Sequence, residues 1–382
     1  MDKKISLNVL PAVEHSQANQ HYRRAKLPVP QPRSFDYRFN RLLALASSPR
    51  RLINYIRYSR AKRGANLNYL PIKLDVEPAS RCNFRCTMCQ VSDWPKGRRA
   101  GDQSLEDFKQ LIDSQYGLFE IKIQGLGEPL LAGDAFFEMI RYARSKHIWV
   151  RTTTNGSLLH LKDNYKKLID SGINEVQISF DGASKETYEK IRRGSKFEHV
   201  VRNCKLINEY CNSRNLMRMR MWVLVQKYNV HEFFNFIPLA HEMGFKRLTY
   251  SLNVLGWGLD NWIAENRSIT VEDAITPEIA HEAIERGRQV GLEVTFWNVT
   301  SRFSTKSPER LCPWPFERAF VSSDQRIVPC CMISNPDVFE LGDARDFKTQ
   351  WHGEAYQEFR RAHLEGRLPK ICKTCYESSE EH

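Results

Sequence analysis

The chain has 382 residues, 41% of them apolar, and a formal net charge of +12. That length allows one large α/β domain with an appendage, and no apolar run nears the ~20 residues of a bilayer span. Residues 1–14 are charged and lack a long apolar stretch, so they do not read as a secretory signal, and the cytoplasm is the expected location. The charge is unevenly spread: residues 1–70 carry 14 Lys/Arg against Asp2, Glu14 and Asp36, a surplus of 11 that leaves the remainder near +1. A basic arm on a near-neutral body argues against a broad nucleic-acid-binding face, and no specific nucleic acid is expected as a partner.

Residues 1–35, polar and containing Pro28, Pro30 and Pro32, read as a poorly ordered lead-in. In 37–63, Leu42, Leu43, Leu45, Leu52, Ile53, Tyr55 and Ile56 recur near helical spacing among Arg38, Arg41, Arg50, Arg51, Arg57 and Arg60. Pro49 divides them, which predicts two short amphipathic helices. Such a basic pair suits contact with an anionic carrier or membrane surface; the plainer reading packs it on the body with its arginines in solvent. From residue 71, strands at 72–76, 119–124, 149–153, 175–180, 218–226 and 247–252 alternate with helices at 105–115, 134–146, 162–171, 185–211 and 231–243. An irregular stretch and a helix near 277–290 follow. Alternation of this kind predicts a parallel sheet with right-handed crossovers. Six repeats can close partly into a barrel, whose chemistry sits on loops at the C-terminal ends of strands. A further apolar segment, 292–297, leads into residues 312–382. There, strand-like pieces at 319–322 and 326–329 and a helix at 354–365 have little core of their own. Units this thin usually need metal or disulfide staples, and metal suits a chain expected in a reducing compartment.

The cysteines carry the chemistry. Cys82, Cys86 and Cys89 lie within eight residues directly after the first strand. A tetrahedral zinc site wants a fourth ligand, for which His147 and His160 are the nearby candidates, and both read as surface residues. Three thiolates on a [4Fe-4S] cube leave one iron open to a small molecule. Cys312, Cys330, Cys372 and Cys375 form a second set, which suits either zinc or a fully ligated cube; spacing alone leaves both open. Cys204 and Cys211, seven apart in a predicted helix, read as buried small hydrophobes.

Cys82-x3-Cys86-x2-Cys89 resembles the signature of the radical S-adenosylmethionine (radical SAM) superfamily. Gly125-Leu126-Gly127-Glu128-Pro129 ends the second predicted strand, Thr153-Thr154-Asn155-Gly156 the third and Ser179-Phe180-Asp181-Gly182 the fourth. The resemblance implies an α/β fold: a partial (β/α)6 TIM-like barrel over 71–300, preceded by the basic helical arm 1–70. It also implies that the open iron is chelated by S-adenosylmethionine, whose reductive cleavage yields a 5′-deoxyadenosyl radical that takes hydrogen from substrate carbon. By the same resemblance, Gly125 and Gly127 let the backbone approach the methionyl part. Glu128 lies near the amino group, Asn155 and Ser179 meet ribose or carboxylate, and Phe84 or Met88 walls the adenine. Met88 departs from the aromatic residue common at that position.

The second cysteine set resembles the auxiliary-cluster region called SPASM or, in its shorter form, twitch, over 301–382, and this favours a second [4Fe-4S] cube. The family pattern has glycine five residues before the second cysteine; here that position is Gln325, a count that selects Cys330 over Cys331 as ligand. No cysteine follows Cys375 in this sequence, so one auxiliary cluster is expected, suited to electron transfer or structural support. Cys331 is then a buried neighbour or a hydrogen donor to a substrate radical. The shorter form resembles that of aminocyclitol dehydrogenases. The expected reaction is therefore a two-electron oxidation of a sugar- or cyclitol-like small molecule, with Arg220, Lys227 and Tyr250, at or after late strands, as positional candidates for proton removal. A flavodoxin or ferredoxin is the expected electron donor. The alternatives are a maturase of ribosomally made peptides, a sugar epimerase and a non-enzymatic iron–sulfur scaffold.

Overall fold

The computed structural model describes residues 27–94, 101–300 and 302–376; most of the predicted lead-in falls outside them. Helices α1 (Ser34–Ala46) and α2 (Pro49–Arg60) come first. Pro49 opens α2 at the first-turn position where a missing N–H costs nothing, and the Ser48 side chain caps it by accepting from the Arg51 amide. The expected division of the arm at Pro49 is what the chain adopts.

Among the described residues twelve strands follow: β1 (Lys73–Val76), β2 (Arg85–Cys86), β3 (Glu120–Ile123), β4 (Trp149–Thr154), β5 (Glu175–Ser179), β6 (Arg192–Arg193), β7 (Met219–Leu224), β8 (Arg247–Ser251), β9 (Glu293–Trp297), β10 (Arg318–Val321), β11 (Arg326–Val328) and β12 (Gly342–Asp343). Ten of them make one sheet in the order β12-β11-β10-β1-β3-β4-β5-β7-β8-β9, and every pairing from β10 to β9 is parallel. Helices join the parallel strands, as the alternation predicts, and the architecture is a partial (β/α) barrel. Leu74, Val76, Ile121, Ile123, Val150, Val176, Ile178, Met221, Val223 and Leu248 are fully buried in one core cluster with helix residues such as Phe108, Phe136, Phe137 and Ile207. The alternate strand positions carry Asp75, Glu120, Lys122, Arg151, Glu175, Gln177, Arg220 and Thr249, so the strands are apolar toward the helices and polar toward the barrel interior.

Two differences from the sequence reading bear on the site. The helix predicted at 185–211 is two helices, Lys185–Ile191 and Phe197–Ser213. Gly194, at φ 88°, breaks it, and the intervening β6 pairs antiparallel with β2, clamping the first cysteine loop. The C-terminal region also has more core than predicted. Strand β10 pairs with β1 in the main sheet, and Phe347, Trp351, Tyr356 and Phe359 join the principal core. No helix among the described residues is long and apolar enough to cross a membrane.

Candidate active site

The four motifs meet at the C-terminal ends of β1, β3, β4 and β5, because parallel strands deliver all their following loops to one edge of the sheet. The glycines of the β3 loop are required by close packing. A Cβ on Gly125 would lie 2.2 Å from the Glu77 side chain, and one on Gly127 would lie 2.2 Å from the Ala79 carbonyl. The expected reason, approach to a methionyl group, is thus joined by a closer one: the loop presses against the segment that leads from β1 into the cysteines. Glu77 fastens that junction, accepting from the Leu126 amide at 2.9 Å and the Ser323 amide at 3.1 Å.

Glu128 is buried. Its carboxylate accepts from the Thr154 hydroxyl at 2.5 Å, the Asn155 amide at 2.8 Å and the Leu130 amide at 3.3 Å, so it ties the β3 loop to the β4 loop. Burial pushes its carboxyl up, opposed by these donors. A carboxylate offers about four acceptor positions, so one is left for a cationic group. Asn155 continues the chain of contacts: its Nδ2 donates to Asn83 Oδ1 at 2.9 Å and stands 4.0 Å from Cys82 Sγ. Ser179 ends β5, half-buried. Phe84 is absorbed into the main core, whereas Met88 packs at the rim with Ile191, Ile269, Leu224 and Val254. The Met88 carbonyl accepts from Trp257 Nε1 at 3.0 Å and Asn266 Nδ2 at 3.1 Å, contacts from the irregular segment after β8 that nothing in the spacing announced.

Cys82, Cys86 and Cys89 lie within electrostatic reach of one another, and burial pushes all three thiols up, Cys82 and Cys89 to about 12. The Phe84 amide donates to Cys82 Sγ at 3.5 Å, and the Val91 amide donates to Cys89. Amides aimed at sulfur favour thiolate, the form a cluster iron binds. Among the described residues no group of His, Cys, Asp and Glu is spaced to hold a single metal ion. A cube accepts three thiolates and leaves one iron open, whereas a structural zinc takes four protein ligands. The donor set fits an iron–sulfur cluster. Beside it, Arg192 is paired with the buried Asp181 at 2.6 Å, and its charge reaches Cys86. Asp181 Oδ1 also accepts from the Leu224 amide at 2.8 Å.

The second set converges likewise. Cys312, Cys330, Cys372 and Cys375 are all within electrostatic reach of each other, and the Trp314 amide donates to Cys312. Gln325 takes φ 63°, the left-handed conformation in which the family pattern has glycine. Cys331 lies within electrostatic reach of Cys330 and Cys375 while Asp75, Arg318 and Lys122 also act on it, and burial raises its thiol to about 11.

The three positional candidates are scattered. Arg220 is at the opposite, N-terminal end of its strand, fully buried, 3.7 Å from Glu175 and donating to Thr249, Thr295 and the Gln31 carbonyl. Tyr250 points into the helix layer, donates to the Phe233 carbonyl at 2.7 Å and stacks on Phe233. Lys227 is exposed just beyond β7. The interior holds a lysine not singled out from the sequence, Lys122 on β3. Its Nζ donates to Gln177 Oε1 at 3.0 Å, and burial first, then Arg151, lowers its pKa from 10.5 to about 8.

With that geometry in place, comparison with known proteins is decisive. Residues 76–237 match the radical SAM superfamily and residues 312–376 match the SPASM iron–sulfur cluster-binding domain. The chain belongs to the radical SAM superfamily. Its core domain implies a [4Fe-4S] cluster with S-adenosylmethionine, and its C-terminal domain implies auxiliary iron–sulfur binding. The chain is 30% identical over 194 residues to the mycofactocin maturase MftC of Mycolicibacterium smegmatis, covering 50% of this chain and 47% of that one. It is 31% identical over 209 residues to a GTP 3′,8-cyclase of Desulforamulus reducens, 52% and 61% of the two chains. It is 24% identical over 323 residues to a PqqA peptide cyclase of Granulibacter bethesdensis, 80% and 79% of the two. The chain thus spans about half the length of the mycofactocin maturases it matches. Among solved structures, Streptococcus suis SuiB bound to precursor peptide SuiA shares the fold, with a TM-score of 0.61 at 15% identity over 77% of this chain and 67% of that one.

Proposed function

We propose that this radical SAM protein is an enzyme that modifies a peptide. The observation that carries the reading is similarity to a PqqA peptide cyclase, matched over about four fifths of both chains, with the mycofactocin maturase MftC as a further relative. This places the peptide alternative ahead of the sugar or cyclitol oxidation expected from the short C-terminal domain. The match to a GTP cyclase keeps a small-molecule substrate as the second reading.

Cys82, Cys86 and Cys89 would hold the first cluster; Cys312, Cys330, Cys372 and Cys375 would hold the second. Bound there, the reduced first cluster with S-adenosylmethionine supplies hydrogen abstraction from an unactivated carbon. The chain's own residues do the rest. Glu128 and Asn155 fix the two loops that frame the cofactor, and Glu128 keeps an acceptor position for its amino group. Arg192 offsets negative charge beside Cys86. Lys122, its pKa lowered by burial to about 8 in the polar interior, exchanges a proton with the substrate.

The test is anaerobic reconstitution followed by S-adenosylmethionine, dithionite and the short peptides encoded beside the gene. The expected result is 5′-deoxyadenosine together with a mass change in one peptide. Conversion of a sugar or cyclitol to its ketone, with every peptide unchanged, overturns the reading.

A further inference from the structure

Of the twelve large apolar side chains that stand exposed among the described residues, eight lie between Val29 and Ile56. Seven are on the arm helices: Phe35, Phe39, Leu42 and Leu43 on α1, and Leu52, Ile53 and Ile56 on α2. Steps of three and four residues place them along one stripe of each helix. Phe35 is 78% exposed and Leu42 63%. Single exposed apolar residues need no explanation, but a continuous patch marks a contact surface.

Loose placement does not account for this exposure, because the opposite faces are fastened to the body. Asn40 donates to the His147 carbonyl at 2.8 Å and accepts from Arg144 at 2.7 Å. Arg51, buried, donates to the Ala44, Lys146 and Tyr116 carbonyls. Asn54 exchanges two hydrogen bonds with the Leu70 backbone, at 3.0 and 2.8 Å. Tyr37 meets Trp149 edge to face, and Tyr55 does the same with Phe119.

The rest of the outer face narrows the partner. From Ser34 to Arg60 every exposed residue is apolar, serine or arginine. The arginines are Arg38, Arg50, Arg57 and Arg60, spread over both helices. Helix α2 has no acidic residue, and Asp36, the one acid of α1, is paired with Arg33 at 3.3 Å. A protein groove is usually matched by polar groups that fix register as well as by apolar anchors. A lipid surface asks only for apolar area and complementary charge.

We propose that α1 and α2 form an in-plane anchor for an anionic lipid bilayer, with the apolar stripes below the headgroups and the arginines on the phosphates. The inner faces of the helices contact residues at the N-terminal ends of β1, β3, β4 and β10, so the bound protein turns its cysteine loops away from the lipid.

The test is co-sedimentation of the reconstituted full chain with vesicles of phosphatidylcholine alone or mixed with phosphatidylglycerol. The expected result is binding to the mixed vesicles, little binding to phosphatidylcholine, and release as salt rises. The double variant Leu42→Glu/Ile53→Glu should bind at least ~10-fold more weakly, and Arg50→Gln/Arg57→Gln should lose the preference for anionic vesicles. Both variants change exposed residues and should keep wild-type iron content and circular dichroism. No binding to either vesicle overturns the proposal, as does unchanged binding of the glutamate variant. Vesicle-free self-association of the wild type that the glutamate variant abolishes also overturns it, because the face would then be an interface between copies.

Discussion

At the scale of single residues, the site depends on groups that serve the protein and the cofactor together. Arg192 and Asp181 form a pair whose side chains are 9% and 0% exposed. Removing one partner of such a pair leaves a buried charge uncompensated, at a cost of ~3–5 kcal/mol. Arg192→Met should therefore lower the denaturation midpoint of the protein before any effect on turnover is considered; a midpoint equal to wild type would show that Asp181 finds another partner. Lys122 gives a pH signature. Its folded pKa, about 8, lies below its ordinary 10.5. Between those values the unfolded chain binds more protons than the folded one, so stability rises with pH through that window and Lys122→Met removes the rise. Chemical unfolding at pH 7.5 and about 10 checks this. If Lys122 exchanges the substrate proton, the same variant also loses the activity change centred near pH 8. Motif residues such as Glu128 were legible because their chemistry is local. Lys122, Asp75 and Arg318 were not, since a charged residue on a strand reads as a solvated face until the sheet is known to curl around it.

At the scale of elements, the alternation of strand and helix gave the parallel sheet because apolar periodicity reports burial directly. It failed where two local signals conflict. Residues 185–211 have helical composition nearly throughout, and only Gly194 argues against one helix. The structure uses that glycine at φ 88° to bring Arg192 into antiparallel pairing with Cys86. Gly194→Ala should cost ~1–2 kcal/mol, the strain of a left-handed residue with a Cβ. It should also loosen the β2–β6 clamp, seen as reduced iron retention at the first cluster. Arg220 illustrates the converse error. Its strand was correctly located, but a catalytic role depends on which end of the strand a residue occupies, and Arg220 belongs to the far end with Glu175 and Arg247.

At the scale of the whole molecule, the family was readable from its motifs and the grouping of the cysteines from their clustering along the chain, whereas the union of the C-terminal region with the barrel was not. Strands of three or four residues carry too little pattern to show which neighbour they pair with. Reconstituted protein should hold about eight iron atoms per chain. Cys312→Ala/Cys372→Ala should hold about four and still cleave S-adenosylmethionine without substrate. Loss of all iron in that variant would mean that the first cluster depends on the second.

The pairing of β10 with β1 has a kinetic consequence. The loop after β1 carries the first three thiols, and the hairpin after β10 leads to Cys330, so a single hydrogen-bonded ladder spaces the two groups. Were clusters held by both thiol groups, an electron passing between them would cross a gap set by backbone registry. Its rate should be indifferent to solvent viscosity, unlike a transfer that waits for two mobile lobes to swing together.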